Sequence, residues 1–320
     1  MFDHILVPLD GSSLAECVLP HVVALARAFE SRVTLLQVME QTRTRASGSE
    51  RFVDPLGWYM GAAEAKTYMS NTVTRLQRVG LSAEHVLLEG SAAERIIEFA
   101  RRHEIDLIVL SSHGRSGLSG WNVSSVVMKI ILRAYLPLMI VRAYQPSIGA
   151  LTELRYRRLM LPLDCSRRAE CVLPPATNLA RFYDSELLAV HVVSEPQMPH
   201  QAPLTRGESQ LLDRIIERNH LAATRYLKQL ASRLDVDVQT HLATSNHVAA
   251  TLHELTDQAD VDLVALSAHG YSGVTKWPYG SIVINFIGYG VTPLLIVQDF
   301  SSEEIEHTRA EMATREYKGH

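Results

Sequence analysis

Ile5 to Pro20 reads ILVPLDGSSLAECVLP, and Leu159 to Pro174 reads LMLPLDCSRRAECVLP. The two stretches stand 154 positions apart. Farther along, His113 aligns with His269 and Pro137 with Pro293, both at an offset of 156. Self-similarity at that period, with two residues inserted between anchors, marks the chain as one domain repeated. A length of 320 residues agrees, since single hydrophobic cores usually serve roughly 100 to 200 residues.

Each repeat reads as alternating strands and helices. HILVPL is a short apolar run, and after it Val18, Val22, Leu25 and Phe29 mark one helix face. Ser13 and Glu16 have the spacing of a capping box at that helix's start. RVTLLQVM, AEHVLL, DLIVLS and LMIVR supply four more strands. A polar loop over 41–61, a helix ending near Gly80, the helix AAERIIEFARRH and one starting near Ser124 lie between them. In the second repeat the strands are RLMLPL, ELLAVHVV, DVQTHL, DLVALS and PLLIVQ. Strands this apolar, without alternation, are expected where helices cover both faces of a parallel sheet. The expectation is an α/β chain of two tandem doubly wound, Rossmann-like domains, each with five parallel strands. The first domain spans 1–143, a Pro- and Gly-bearing linker 144–156, the second domain 157–300, and a charged tail 301–320.

Composition narrows the class of function. Hydrophobic residues make up 47% and charged residues 21%, as in an ordinary globular protein. A formal net charge of -4 offers no general attraction to nucleic acid or anionic lipid, and the cluster Arg155, Arg157 and Arg158 reads as solvated surface. The N-terminus has no secretory pattern, and no apolar run approaches the ~18 residues of a membrane span. The three cysteines, Cys17, Cys165 and Cys171, form no CxxC pair, which points to a reducing compartment and a cytoplasmic address.

The chemistry concentrates after the fourth strand of each repeat, in SSHGRSGLSGWNVSSVV (Ser111 to Val127) and SAHGYSGVTKWPYGSIV (Ser267 to Val283). Ligands of open parallel sheets settle at the carboxyl ends of strands. Gly114 and Gly270 let the backbone approach a ligand, and Gly280 with Ser281 opens a helix whose free amides favour an anion. A strand-to-helix loop needs glycines and a serine cap in any case. No P-loop, GxGxxG or GxSxG motif is present.

Both repeats resemble the universal stress protein family, whose domains carry an ATP-binding signature G-x-x-G-x9-G-[ST] after the fourth strand. The likeness covers the chain from Ile5 to Val297. Ser111, Gly114, Ser124 and Ser125 occupy the signature positions in the first repeat, and Ser267, Gly270, Gly280 and Ser281 in the second. The resemblance further implies an adenine nucleotide alpha hydrolase-like fold, with Asp10 and Asp164 near the adenosine. It puts the backbone of Val38 and Val192 at the adenine edge, and Val126 and Ile282 beside the phosphates. Serine replaces the first signature glycine in both repeats and is expected to bring a side chain close to the ligand's path. Ser124 replaces the later glycine in the first repeat, so the second is the better site. Trp277 with Pro278 is expected to crowd that second loop, and Arg115 and Lys276 are the cations near the phosphates.

Other residues carry open alternatives. His113 and His269 invite a general-base role, but no partner carboxylate stands at fixed spacing, and structural hydrogen bonding is preferred. Asp10 and Asp164 either face ligand or cap the next helix. Cys17 and Cys171 read as core thiols. The 14 histidines show no metal-binding spacing. The leading expectation is ATP binding, with or without Mg2+, chiefly in the second domain, in a regulatory or protective role with at most slow hydrolysis. The family further implies pairing of the two domains within a chain and homodimers of whole chains. The competing reading is an interaction module whose clefts are blocked by the serines and by Trp121 or Trp277.

Overall fold

The computed structural model describes residues 1–40, 55–115, 123–143, 150–194, 205–271 and 278–299. The chain divides into two compact units, Met1–Arg155 and Tyr156–His320. In the first, β1 (His4–Pro8), β2 (Arg32–Met39), β3 (Ala83–Glu89), β4 (Leu107–Ser111) and β5 (Leu138–Val141) alternate with α1 (Leu19–Phe29), α2 (Pro55–Arg78), α3 (Ala92–Arg102) and α4 (Ser125–Ala134). All its strand pairs are parallel, in the order β3-β2-β1-β4-β5. The second unit repeats this with β6 (Arg158–Pro162), β7 (Glu186–Val193), β8 (Val238–Thr244), β9 (Leu263–Ser267) and β10 (Leu294–Val297), in the order β8-β7-β6-β9-β10. Its helices are α5 (Leu173–Tyr183), α6 (Arg206–Arg233), α7 (Val248–Gln258) and α8 (Ser281–Tyr289).

This is the doubly wound α/β architecture expected, twice. Right-handed crossovers that run outward from β1 through β2 to β3, then return through β4 to β5, put two helices on each face. The strands next to the reversal are wholly buried: Ile5, Leu6 and Val7 in β1, and Leu107, Ile108 and Val109 in β4, have no exposed surface. The order reverses between β1 and β4, and between β6 and β9, so a crevice opens at the carboxyl ends of those strands.

At the opposite end of each sheet one aspartate ties the two central strands. Asp106 Oδ2 accepts from the amides of Asp3 and His4 at 2.9 Å. Asp262 Oδ2 accepts from Arg157 at 2.7 Å and Arg158 at 3.0 Å. The basic cluster is drawn into this brace, with Arg158 Nε 2.6 Å from Glu186 and Arg157 3.6 Å from the other oxygen of Asp262.

Two local expectations are corrected. Ser13 and Glu16 form no capping box, because a 3-10 turn over Ala15–Val18 precedes α1 and delays the helix by one turn. Ser12 Oγ accepts from the amide of Ala15 instead, as Ser166 Oγ does from Ala169, both at 3.1 Å. Glu16 pairs with Arg75 on α2 at 2.8 Å, and its counterpart Glu170 with Arg233 on α6 at 3.2 Å. Proline in the first helical turn sets where α1 and α5 start. The second correction concerns α2, which begins at Pro55 rather than after Gly61, so Trp58 and Tyr59 lie on a helix. Tyr59 and Met60 are exposed, so that first part shows no buried face for periodicity to report. The rest of the loop, 41–54, the linker residues 144–149 and the tail from 300 lie outside the described residues. Among the described residues no helix is long and apolar enough to cross a membrane.

Burial holds the pKa of His21, on α1, down to about 4, against 6.5 for a free imidazole. A folded-state value below the unfolded one means the unfolded chain takes up the proton first, so the stability this ring permits is complete above pH 6.5 and falls away between 6.5 and 4. His21→Leu is expected to flatten that part of the curve of unfolding free energy against pH, by up to about 3 kcal/mol between the two ends. Denaturant titrations across pH 4 to 7 check it.

Candidate functional site

In the second unit the crevice at the switch point is a cleft of about 150 Å³, lined by Asp164, Val192, Ser267, Gly270, Gly280 and Ile282, among others. Six of the seven residues expected there are thereby brought together. The seventh, Ser281, is the first residue of α8. The remaining walls are largely apolar, with Val190 on β7, Val248 and Leu252 on α7, and Leu266 on β9. In the first unit the matching residues occupy matching places. Asp10 follows β1, Val38 sits near the end of β2, Ser111 ends β4, Gly114 follows it, and Ser124, Ser125 and Val126 form the start of α4.

The aspartates do not stand idle beside the cleft. Asp164 Oδ1 accepts from the amide of Ser166 at 3.0 Å, and Oδ2 accepts from the amide of Tyr271 across the switch point. Asp10 repeats both contacts, with Ser12 at 3.0 Å and with the amide of Arg115, and also accepts from the Ser12 hydroxyl at 2.6 Å. The glycines are explained by the same contact. A Cβ on Gly114 or Gly270 would run into the carboxylate of Asp10 or Asp164. These glycines let the loop close on an aspartate.

The serines in the first signature position are hydrogen-bonded to the protein. Ser267 Oγ donates to the carbonyl of Arg168 at 3.1 Å and accepts from the Cys171 thiol at 3.3 Å. Ser111 Oγ is within reach of the carbonyls of Leu14 at 3.0 Å and His113 at 2.6 Å, and accepts from Cys17 at 3.4 Å. Each hydroxyl reaches the carbonyl at the start of the 3-10 turn beside it, and Ser267 also lines the cleft. Cys17 is buried and Cys171 half-buried; burial raises both thiols, Cys171 to about 11. Cys165, which stands where the first repeat has Gly11, keeps the positive φ of that position, 67° against 81°. Burial and then the charge of Asp164 push its thiol up to about 11, so it is protonated at neutral pH and a poor nucleophile.

The helix entries separate the two units. Ser124 and Gly280 have nearly the same backbone, φ -70° and ψ 161° against φ -72° and ψ 164°. Both amides donate at 2.8 Å to the residue after the strand, Ser112 or Ala268. A Cβ on Gly280 would meet only ordinary contacts, the nearest at 3.5 Å. Glycine is therefore not required by the turn. What it changes is the cap: Ser124 Oγ accepts from the amide of Val127, whereas α8 has no side-chain cap. The first amides of α8 face a cleft with the positive end of the helix dipole behind them.

Arg115 adds a second difference. Its guanidinium lies against the turn after β1, where a Cβ on Gly11 would be 3.1 Å from Nη2 and 3.7 Å from Gln37 Nε2. It is thus over the first unit's switch point rather than at the start of α4. The corresponding Tyr271 is 88% exposed. Trp121, Lys276 and Trp277 lie outside the described residues.

Sequence reasoning missed a carboxylate partner for His269. Asp299, just past β10, accepts from both the amide of His269 at 3.1 Å and its Nδ1 at 2.8 Å. Arg168 Nη1 stands 3.0 Å from the other oxygen. His191 lines the cleft, with Nδ1 2.7 Å from the carbonyl of Leu163. No group of three or more His, Cys, Asp or Glu is arranged to hold a metal among the described residues.

Comparison with known proteins agrees with this geometry. The family model described as the universal stress protein family matches residues 1–142 and again 155–298. Universal stress protein MJ0577 of Methanocaldococcus jannaschii is 27% identical over 156 residues, covering 44% of this chain and 96% of its own length. Universal stress protein YxiE of Bacillus subtilis is 28% identical over 149 residues, covering 44% of this chain and all of its own. Over nearly the whole chain, a putative universal stress protein from Pseudomonas aeruginosa superposes with a TM-score of 0.66 at 13% identity, covering 98% of each chain.

The contact between aspartate and glycine makes a quantitative expectation. Gly270→Ala should destabilise the second unit by about 1–3 kcal/mol, the usual range for overpacking. Adding Asp164→Ala should return part of that loss, so the double variant is less destabilised than the two singles summed. Urea unfolding of the four chains measures the coupling.

Proposed function

The chain belongs to the universal stress protein family, and on that premise we propose that it binds adenine nucleotide, ATP in particular, chiefly in the cleft of its second domain. The role that follows is regulatory or protective in the stress response. The observation that carries this reading is the uncapped start of α8 opening on a largely apolar crevice at the switch point. The apolar walls suit a purine, and the amides after Gly280 suit an anion. On this reading Val192 meets the adenine edge, Asp164 and Ser267 border the nucleoside, and Gly270, Gly280, Ser281 and Ile282 border the phosphates. Asp10, Val38, Ser111, Gly114, Ser124, Ser125 and Val126 form the corresponding set in the first domain, where the Ser124 cap and Arg115 favour a weaker site.

Hydrolysis is slow at most on this proposal. Among the described residues lining the cleft none is Lys or Arg, and charge neutralisation at a transferring phosphoryl group needs cations or metal. Asp164 is the carboxylate at the cleft and already accepts two amides, so a Mg2+ ion would take most of its ligands from phosphate and water. Residence in the cytoplasm belongs to the same proposal, supported by three cysteines that are all unpaired.

Adenine released on denaturing the purified protein, read by absorbance and mass, is the direct test. At a hundredfold excess over Kd, ATP adds about 2.7 kcal/mol and should raise the melting temperature by roughly 5–10 °C. Gly280→Leu, which fits the backbone angles of that position, should abolish the shift while leaving the apo protein folded. An empty eluate with no shift would make the chain a nucleotide-free interaction module instead. Pairing of whole chains is tested separately: sedimentation showing only a 35.7 kDa species would remove the homodimer.

A further inference from the structure

We infer that Asp299, supported by Arg168 and acting through His269, is a positioning residue that sets the chemistry of one wall of the second domain's cleft. The inference rests on the nucleotide reading above and names how that site is tuned. The carboxylate of Asp299 and the ring of His269 are 2% and 3% exposed, and Arg168 closes the group at 30%. The three come from three segments: the 3-10 turn after β6, the loop after β9, and the chain leaving β10. Ser267 and Cys171 complete the surroundings, the hydroxyl holding the carbonyl of Arg168 and the thiol meeting that hydroxyl. His269 and Ser267 both line the cleft, and Ala268 between them accepts from the amide of Gly280.

The first repeat closes the same corner with other chemistry. At the positions of Arg168, Ala268 and Asp299 it carries Leu14, Ser112 and Ala143. Ser112 Oγ accepts from the amide of Ala143 at 3.1 Å and stands 3.2 Å from Nδ1 of His113. A hydroxyl can donate to Nδ1 or accept from it, so this partner imposes neither tautomer on His113. An ionised carboxylate donates nothing, so Nδ1 of His269 carries the hydrogen toward Asp299. The second repeat thus fixes the tautomer of its histidine with a carboxylate, where the first offers a hydroxyl.

Stability does not require the charged version. A buried carboxylate loses hydration that its partners only partly restore, and the first repeat shows that one serine hydroxyl does the job. Three coordinated replacements therefore alter what holds the imidazole, and they occur in the repeat whose helix entry is uncapped and whose cleft the histidine lines.

The test transplants the first repeat's corner into the second in the full chain: Arg168→Leu, Ala268→Ser and Asp299→Ala together. The triple variant should melt within a few degrees of the wild type yet bind ATP about tenfold more weakly. Asp299→Ala alone should lose both stability and affinity. Imidazole ¹⁵N spectra of the unmodified protein, which need no variant, should show hydrogen on Nδ1 of His269. Wild-type ATP affinity in the folded triple variant would reduce Asp299 to a brace and overturn the inference, as would an Nε2–H tautomer at His269. If the wild type binds no ATP at millimolar concentration the nucleotide reading fails by itself, and the spectra still decide the tautomer.

Discussion

One carboxylate holds each unit's working end together. It ends the first strand, spans the switch point and accepts an amide from the loop after the fourth strand, at Asp10 in one repeat and Asp164 in the other. That link joins the loops that leave the two central strands at the end where the sheet order reverses. The loop can come close enough only where the facing residue has no side chain, which is why Gly114 and Gly270 are needed. The shape of the crevice, and the distance from β6 to the start of α8, follow from this contact.

On that shared frame the two repeats have diverged in a consistent direction. In the first, a serine covers the entry of α4 and an arginine folds over the turn after β1. In the second, glycine leaves α8 uncovered, the residue after the loop glycine points to solvent, and charge is moved into a buried corner. Duplication makes such a division possible.

Arg168, His269 and Asp299 also illustrate how a buried ion pair can be tolerated. One oxygen of Asp299 lies 2.8 Å from Nδ1 of His269 and the other 3.0 Å from Arg168 Nη1, and the amide of His269 adds a hydrogen bond. Such groups are poor candidates for stabilising a fold by themselves. Their effect is directional, since a carboxylate fixes which ring nitrogen holds hydrogen.

The sequence by itself determined the duplication, the ten strands and the location of the loops that matter, because apolar runs, glycines and the PLD and HG motifs are local signals repeated at a fixed offset. It also favoured the second repeat, since the change from Ser124 to Gly280 is visible as letters. Tertiary structure alone decided what the small residues are for. The glycines make room for aspartates and the strand-end serines bond to the protein. A carboxylate 30 residues downstream, Asp299, meets His269. These are contacts between strand ends that lie far apart along the chain and adjacent only after the sheet has formed, so no spacing rule could report them.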